Sequence, residues 1–258
     1  MSIITISTDY KTADGYSAVI KGVIKSLSPE VEIIDVTNDL STILKTSLVL
    51  YRYCSYYPAG AVHLVIIDPT VGSSRRALAG TDGKQFFVGP DNGIFTQIIQ
   101  SNPRSQWYSI DISKFPPREK MSSTFHGRNI FAPAAALISL GTHPDELGTL
   151  IADPVLVEIP EPSIKQNIIS GEIIDIDMFG NLIINISGKI LKEIATVSIK
   201  RENMPLKKTF SDVALRFPVA YIGSLGFLEI AINQGNAAEY FSAVIGDKVE
   251  VTSDLPCL

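Results

Sequence analysis

The feature that most constrains this chain is a regular alternation, through its first half, of apolar runs of strand length with segments of helical periodicity. Ile3–Ser7 is followed by a helical pattern near Tyr16–Leu27, Val31–Val36 by another near Thr42–Tyr53, and Val62–Ile67 comes next. Strands alternating with helices build parallel βαβ units, so the pattern predicts an α/β domain with a mainly parallel central sheet. Short β runs at Gln85–Val88 and Trp107–Ile112, with helical segments near Gly93–Gln100 and Asn129–Leu140, extend this domain over residues 1–152.

The pattern then changes. Asp153–Asn167 carries Pro154, Pro160 and Pro162 among alternating Val, Glu and Ile, and proline resists helix, so residues 153–167 are predicted to be an extended linker. Beyond it, Gly171–Ile176, Asn181–Ile186, Glu193–Ile199, Val219–Ile222 and Lys248–Thr252 are short β-like runs separated by turn residues. Helical periodicity is scarce there, and residues 168–258 read as a small β-barrel or sandwich domain.

Composition narrows the function. With 258 residues, 45% hydrophobic and 19% charged, the chain can bury a sizeable core. A net charge of -5 with Lys and Arg scattered along the chain leaves no footprint for nucleic acid, so a small-molecule ligand is expected. The start lacks signal-peptide features and no apolar run approaches the roughly 20 residues of a membrane span, so no membrane association and a cytoplasmic location are expected. Cys54 and Cys257 have neither zinc-site spacing nor disulfide-scaffold density, and both are expected to be reduced and structural. No metal-ligand cluster is visible, and no metal or cofactor is expected. GxGxxG, GxxxxGK[ST], HExxH and GxSxG are all absent, which removes the common dinucleotide, phosphate, zinc-protease and serine-hydrolase readings.

In an open parallel sheet, ligands bind outside the carboxyl ends of the strands, and two aspartates lie there: Asp9 after Ile3–Ser7 and Asp68 after Val62–Ile67. A turn-capping role alone would account for either one. Asp68–Arg76 packs a carboxylate, a proline, a glycine and two arginines into one loop, where a guanidinium could fix the acid group to orient a water. One of Arg75 and Arg76 is then only a surface residue. His126 precedes a predicted helix, whose positive end disfavours imidazolium and leaves a neutral ring able to exchange a proton. His63 and His143 read as structural or exposed. In IDIDMFGNLIINI a hairpin turn offers Asp177 for an ammonium, Phe179 for stacking on a base and Asn181 for an adenine edge, although Gly180–Asn181 alone is an ordinary turn signal. In YIGSLGFLEIAINQ, Ser224 could donate to a carboxylate, or the segment is simply a turn between two strands.

These segments occur in a specific order: STD followed by DGYSAVIKGVIKSLSPEVEIIDVT, then YYPAGAVHLVIIDPTVGSSRR, FFVGPDNGIFT, TFHGRNIFAPAAA, IDMFGNLIINI and IGSLGFLEIA. The ordered set resembles the S-adenosyl-L-methionine (SAM) hydroxide adenosyltransferase family, relatives of fluorinase and chlorinase. The resemblance implies hydrolysis of SAM to adenosine and L-methionine, with SAM as substrate and no cofactor. It implies a homotrimer of two-domain subunits with SAM bound between neighbours. The catalytic set then falls on Asp68, Arg75 and His126, and the ribose-diol carboxylate on Asp9. Phe179 and Asn181 face adenine, while Asp177 and Ser224 hold the methionine ends. The family usually shows TDFG and DPGVG, so Lys11 and Thr70 replace glycines here, and the two loops are expected to bend differently. Leu225 stands where fluorinase-like enzymes carry an arginine. Those halide users lack the residues matching Asp68 and His126 and carry a long insertion before the segment matching PDNG, so water is the expected nucleophile. A SAM or adenosine sensor with little turnover is the alternative of a different class.

Overall fold

The computed structural model describes residues 2–115, 122–191 and 195–253. The chain divides into two compact units, residues 1–157 and 158–258.

The first unit is a seven-stranded sheet between two layers of helices. Its strands are β1 (Ile3–Thr8), β2 (Glu32–Thr37), β3 (Val62–Ile66), β4 (Ala77–Thr81), β5 (Phe86–Pro90), β6 (Gln106–Ile110) and β7 (Gly148–Ile151), in the order β2-β1-β3-β5-β4-β6-β7. The four strands β2, β1, β3 and β5 run parallel, whereas β4, β6 and β7 are added antiparallel. The helices are α1 (Tyr16–Leu27), α2 (Ile43–Cys54), α3 (Thr96–Ser101), α4 (Ala132–Ser139) and the single turn α5 (Pro144–Leu147).

Burial follows from residue spacing. In α1 the side chains of Ser17, Ile20 and Ile24 recur at helical intervals and are buried, and α2 opens on Thr42, whose hydroxyl accepts from the Lys45 amide at 3.1 Å. One face of the sheet packs Ile4, Ile6, Leu64, Ile66 and Val88 against Ile20, Ile24 and the alanines of α4. The other packs Val65, Phe87 and Leu78 against Leu50, Phe95, Ile98 and Trp107. Every residue of β3 is buried, as a strand covered on both faces requires. Full burial of each such aliphatic side chain contributes about 1.5–3 kcal/mol.

β4 escapes the sequence reading because Ala77-Leu78-Ala79-Gly80-Thr81 has neither the bulk nor the alternation of a typical strand. Its small residues have a tertiary cause: a Cβ on Gly80 would lie 2.6 Å from Cζ3 of Trp107 on the neighbouring β6. His63 is a fully buried core residue. Its Nδ1 pairs with the Thr5 hydroxyl at 2.8 Å, its ring lies among Tyr53, Tyr57 and Phe87, and burial pushes its pKa down to about 4. Cys54 is a buried free thiol, whereas Cys257 and its expected reduced state lie outside the described residues.

The segment 153–167 contributes to both units. Arg76 donates to the Asp153 carboxylate and carbonyl, the Val155 amide donates to Asp91, and the Val157 amide donates to the Thr96 hydroxyl, all within the first unit. Ser163–Lys165 forms β8 of the second.

That second unit has β8 paired with β9 (Ile168–Ile176), then β10 (Leu182–Ser187), β11 (Ala195–Ile199), β12 (Glu202–Pro205), β13 (Pro218–Ile222), β14 (Phe227–Ile232) and β15 (Lys248–Ser253), with the short helix α6 (Ala237–Phe241). The order is β12-β11-β15-β9-β10-β14-β13, and a bridge between Leu206 and Ala220 joins the two edges into a barrel around Ile173, Leu182, Ile184, Val197, Leu228, Ile230 and Val251. The barrel is nearly closed, which shortens the exposed strand edges that an open sheet would leave. The run expected from Glu193 begins at Ala195 among the described residues, and Glu193 itself lies outside them. No helix among the described residues is long and apolar enough to cross a membrane.

Candidate active site

β1 and β3 are adjacent and parallel, with Thr8 opposite Ile66, so the loops that follow them leave the same edge of the sheet. Asp9 and Asp68 begin those loops. The Asp9 amide donates to the Ile66 carbonyl at 3.2 Å, which ties the two loops together at their start. The two aspartates line one cavity of about 140 Å³ with Tyr10, Tyr16, Val71, Thr124, Phe125 and Gly127. Asp9 Oδ1 is buried without a hydrogen-bond partner among the described residues. Burial is the main cause that raises the Asp9 pKa, and the neighbouring Asp68 charge adds to it.

Arg75 organises the rest. Its Nε donates to Asp68 Oδ1 at 2.9 Å and its Nη2 donates to Asp68 Oδ2, a bidentate pair in which each side chain is only 7% exposed. Nη2 also donates to His126 Nδ1 at 2.7 Å, Nη1 donates to the Arg76 carbonyl at 3.2 Å, and the guanidinium lies 5.2 Å from the centre of the Phe131 ring. A guanidinium has no acceptor, so His126 Nδ1 must be the unprotonated nitrogen. The ring is therefore neutral with its proton on Nε2. Burial and then the Arg75 cation hold the His126 pKa below its ordinary value, with Asp68 acting in the opposite sense. The helix-dipole argument for neutrality is thus replaced by desolvation and a neighbouring cation. His126 caps a π-helical turn, Gly127–Phe131, that leads into α4, an element that frequently marks functional sites.

Consecutive residues point opposite ways here, which separates the two arginines. Arg76 Nε donates to the buried Asp91 at 2.6 Å and its Nη1 to Asp153 at 2.8 Å, so it ties the start of β4 to the residues that follow β5 and β7 and does not line the cavity. The loop departures resolve differently from each other. Lys11 adopts the left-handed conformation at φ +52°, as a glycine would, at a cost of about 1–2 kcal/mol for an L-residue, whereas Thr70 keeps a negative φ. The turn after Thr70 instead uses Gly72 at φ +85°, where a Cβ would meet the Ser123 carbonyl at 3.0 Å.

In the barrel, Asp177 closes the β9–β10 turn. Its Oδ1 accepts from the Phe179 and Asn181 amides and its Oδ2 from Asn181 Nδ2, each at 2.9 Å, and Gly180 takes φ +81°. Three of the four acceptor positions of the carboxylate are used locally, leaving one on Oδ2 for a ligand. Asn181 is buried, while Phe179 is 68% exposed at the tip and free to stack. Ser224 is exposed in the turn that links β13 and β14. Among the described residues no three His, Cys, Asp or Glu side chains are grouped to hold a metal ion.

Tyr10, Tyr16 and Phe125 were not singled out from sequence, yet their rings pack edge to face or tilted on one another, at centroid distances of 5.2–6.0 Å, and wall the cavity. Adjacency to Asp9 and to His126 is the signal that points to Tyr10 and Phe125.

Comparison with known proteins adds an independent line. The model of the SAM hydroxide adenosyltransferase N-terminal domain matches residues 4–148, and that of the C-terminal domain matches residues 171–250. The chain belongs to the SAM hydroxide adenosyltransferase family. A relative in Salinispora tropica, named (R)-S-adenosyl-L-methionine hydrolase, is 33% identical over 97% of both chains. A fluorinase of an Actinoplanes species is 26% identical over 97% of both. The crystal structure of an uncharacterized conserved protein from Thermotoga maritima superposes with a TM-score of 0.89 at 32% identity, covering 97% of this chain and all of that one.

Proposed function

We propose that this member of the family hydrolyses SAM to adenosine and L-methionine, by in-line attack of a water molecule at C5′. The observation that carries the reading is the Asp68–Arg75–His126 constellation, whose Asp68 lines one cavity together with Asp9. Names of relatives support it as well, since several are SAM hydrolases at 32–34% identity.

A sulfonium is a good leaving group, so the enzyme's main task is alignment. Asp9 accepts hydrogen bonds from the ribose diol, which gives its unpaired Oδ1 a partner. Asp68, fixed by two bonds from Arg75, accepts a hydrogen bond from the water and then its proton. The water oxygen forms the bond to C5′, the C5′–S bond breaks with its electron pair going to the methionine sulfur, and the proton leaves Asp68 for solvent. His126, neutral and anchored through Nδ1, presents Nε2–H as a donor that helps orient the water. No step needs a metal or a covalent intermediate.

The cavity of about 140 Å³ is smaller than the roughly 300–1,000 Å³ of sites for drug-sized ligands. The reading extends, as the family resemblance implies, to a homotrimer in which Phe179 and Asn181 of a neighbouring subunit meet adenine while Asp177 and Ser224 hold the methionine amino and carboxylate ends. Light scattering that finds an active monomer would exclude that arrangement. We further place the enzyme in the cytoplasm, where SAM is made and used. A halide-using reaction is disfavoured because the Asp68 carboxylate would repel the anion, and a binding-only sensor leaves the assembled set without a purpose. Incubation with SAM alone should yield adenosine and methionine in equal amounts. Adenine or methylthioadenosine as the main product would refute the reading.

A further inference from the structure

An attacking water that donates to Asp68 and accepts from the His126 Nε2–H keeps one hydrogen without an acceptor, and a contact to that hydrogen would aim the remaining lone pair at C5′. His126 can offer only a donor, because its Nδ1 is engaged by Arg75. The further polar side chains that line the cavity are Tyr10, Tyr16 and Thr124, and of these Tyr10 directly follows Asp9 in the chain. Tyr10 lines it together with Asp9 and Asp68, and its hydroxyl reaches the backbone of Gly127, the residue after His126, where a Cβ would stand 2.5 Å from it.

The position is held firmly. The Tyr10 ring packs against Tyr16 at 5.7 Å and Phe125 at 6.0 Å, its amide donates to the Thr8 hydroxyl at 3.3 Å, and the next amide, of Lys11, donates to the Asn38 carbonyl at 2.7 Å. Burial, reinforced by the charges of Asp9 and Asp68, pushes the phenol pKa well above its ordinary value, so the hydroxyl keeps its proton and both donates and accepts. Gly127 leaves the room that this hydroxyl occupies.

We infer that the Tyr10 hydroxyl is a further catalytic group, a third protein contact of the attacking water beside Asp68 and His126, accepting the hydrogen that Asp68 does not. The inference rests on the hydrolase reading above and concerns a hydroxyl particular to this chain, since the family's usual TDFG has phenylalanine at this place. Tyr10→Phe removes the hydroxyl and keeps the ring packing. The loss of one neutral hydrogen bond should lower kcat about tenfold, with the dissociation constant for SAM and the melting temperature unchanged. Gly127→Ala, whose methyl group displaces the hydroxyl, should lower kcat in the wild-type background but cause little further loss when combined with Tyr10→Phe. A Tyr10→Phe enzyme with kcat within about twofold of wild type, or one whose only change is weaker SAM binding, overturns the inference. Equal and additive losses from Gly127→Ala in both backgrounds also overturn it. Wild-type protein that releases no adenosine from SAM removes the hydrolase reading and the Tyr10 role together, whereas wild-type turnover with an unaffected Tyr10→Phe variant removes only the latter.

Discussion

Asp68→Asn isolates charge from shape. Asn keeps an oxygen where Oδ1 accepts from Arg75 Nε at 2.9 Å, but it places an amide N–H where Oδ2 accepts from Nη2. Arg75 retains its bonds to His126 and the Arg76 carbonyl and its contact with Phe131. The loss is thus about one charge-assisted hydrogen bond, roughly 1.5–3 kcal/mol, well inside the roughly 5–15 kcal/mol stability of a folded domain. The variant should fold. The carboxylate that takes the water's proton is gone, and general base catalysis is worth about 10²–10⁴-fold, or roughly 3–5 kcal/mol of activation free energy. Adenosine release at saturating SAM, measured by chromatography, should fall by about 10²–10⁴-fold, with thermal unfolding and calorimetric SAM binding changed far less. A folded Asp68→Asn enzyme with kcat within about tenfold of wild type would refute the argument, as would a loss confined to the dissociation constant.

Hydrogen bonds from the ribose diol favour ionised Asp9, whose pKa is raised in the free protein, so SAM affinity should fall as pH drops through that raised value; a calorimetric affinity as tight and as pH-dependent in Asp9→Ala would move Asp9 to a capping role. His63 has a folded pKa of about 4 against 6.5 unfolded, so the unfolded chain binds the extra proton: its contribution is full above pH 6.5 and is lost on acidification through about 4, amounting to about 3 kcal/mol. Urea unfolding of wild type should therefore lose more stability between pH 7 and pH 4 than His63→Phe does, and parallel losses would contradict this. Arg76→Ala breaks the clamp to Asp91 and Asp153 and should lower the melting temperature while leaving kcat unchanged, whereas Arg75→Ala should abolish most turnover; equal kinetic losses would mean that the two arginines have been wrongly separated.

The parallel half of the sheet is legible because Ile3–Thr8, Glu32–Thr37 and Val62–Ile66 are apolar runs set between amphipathic helices. The strand-end rule then finds Asp9 and Asp68 without any alignment. β4 is not legible, since its small residues answer to Trp107 on another strand. The choice between Arg75 and Arg76 is hidden for a related reason: neighbouring side chains leave the backbone on opposite sides, and only the fold shows which one meets Asp68. The neutrality of His126 is legible, but its cause is not, because the guanidinium that enforces it lies 51 residues away in the chain. Asp177 illustrates the converse. Its local spacing already specifies an Asx-type turn, and that turn consumes most of the carboxylate that a ligand was expected to use.

The central claim is that water, positioned by Asp68, attacks C5′ of SAM. Turnover in oxygen-18-labelled water with mass analysis of both products tests it most directly. The account predicts one labelled oxygen in adenosine, at the 5′-hydroxyl, and none in methionine. Adenosine that carries no label, or label in methionine, would contradict it.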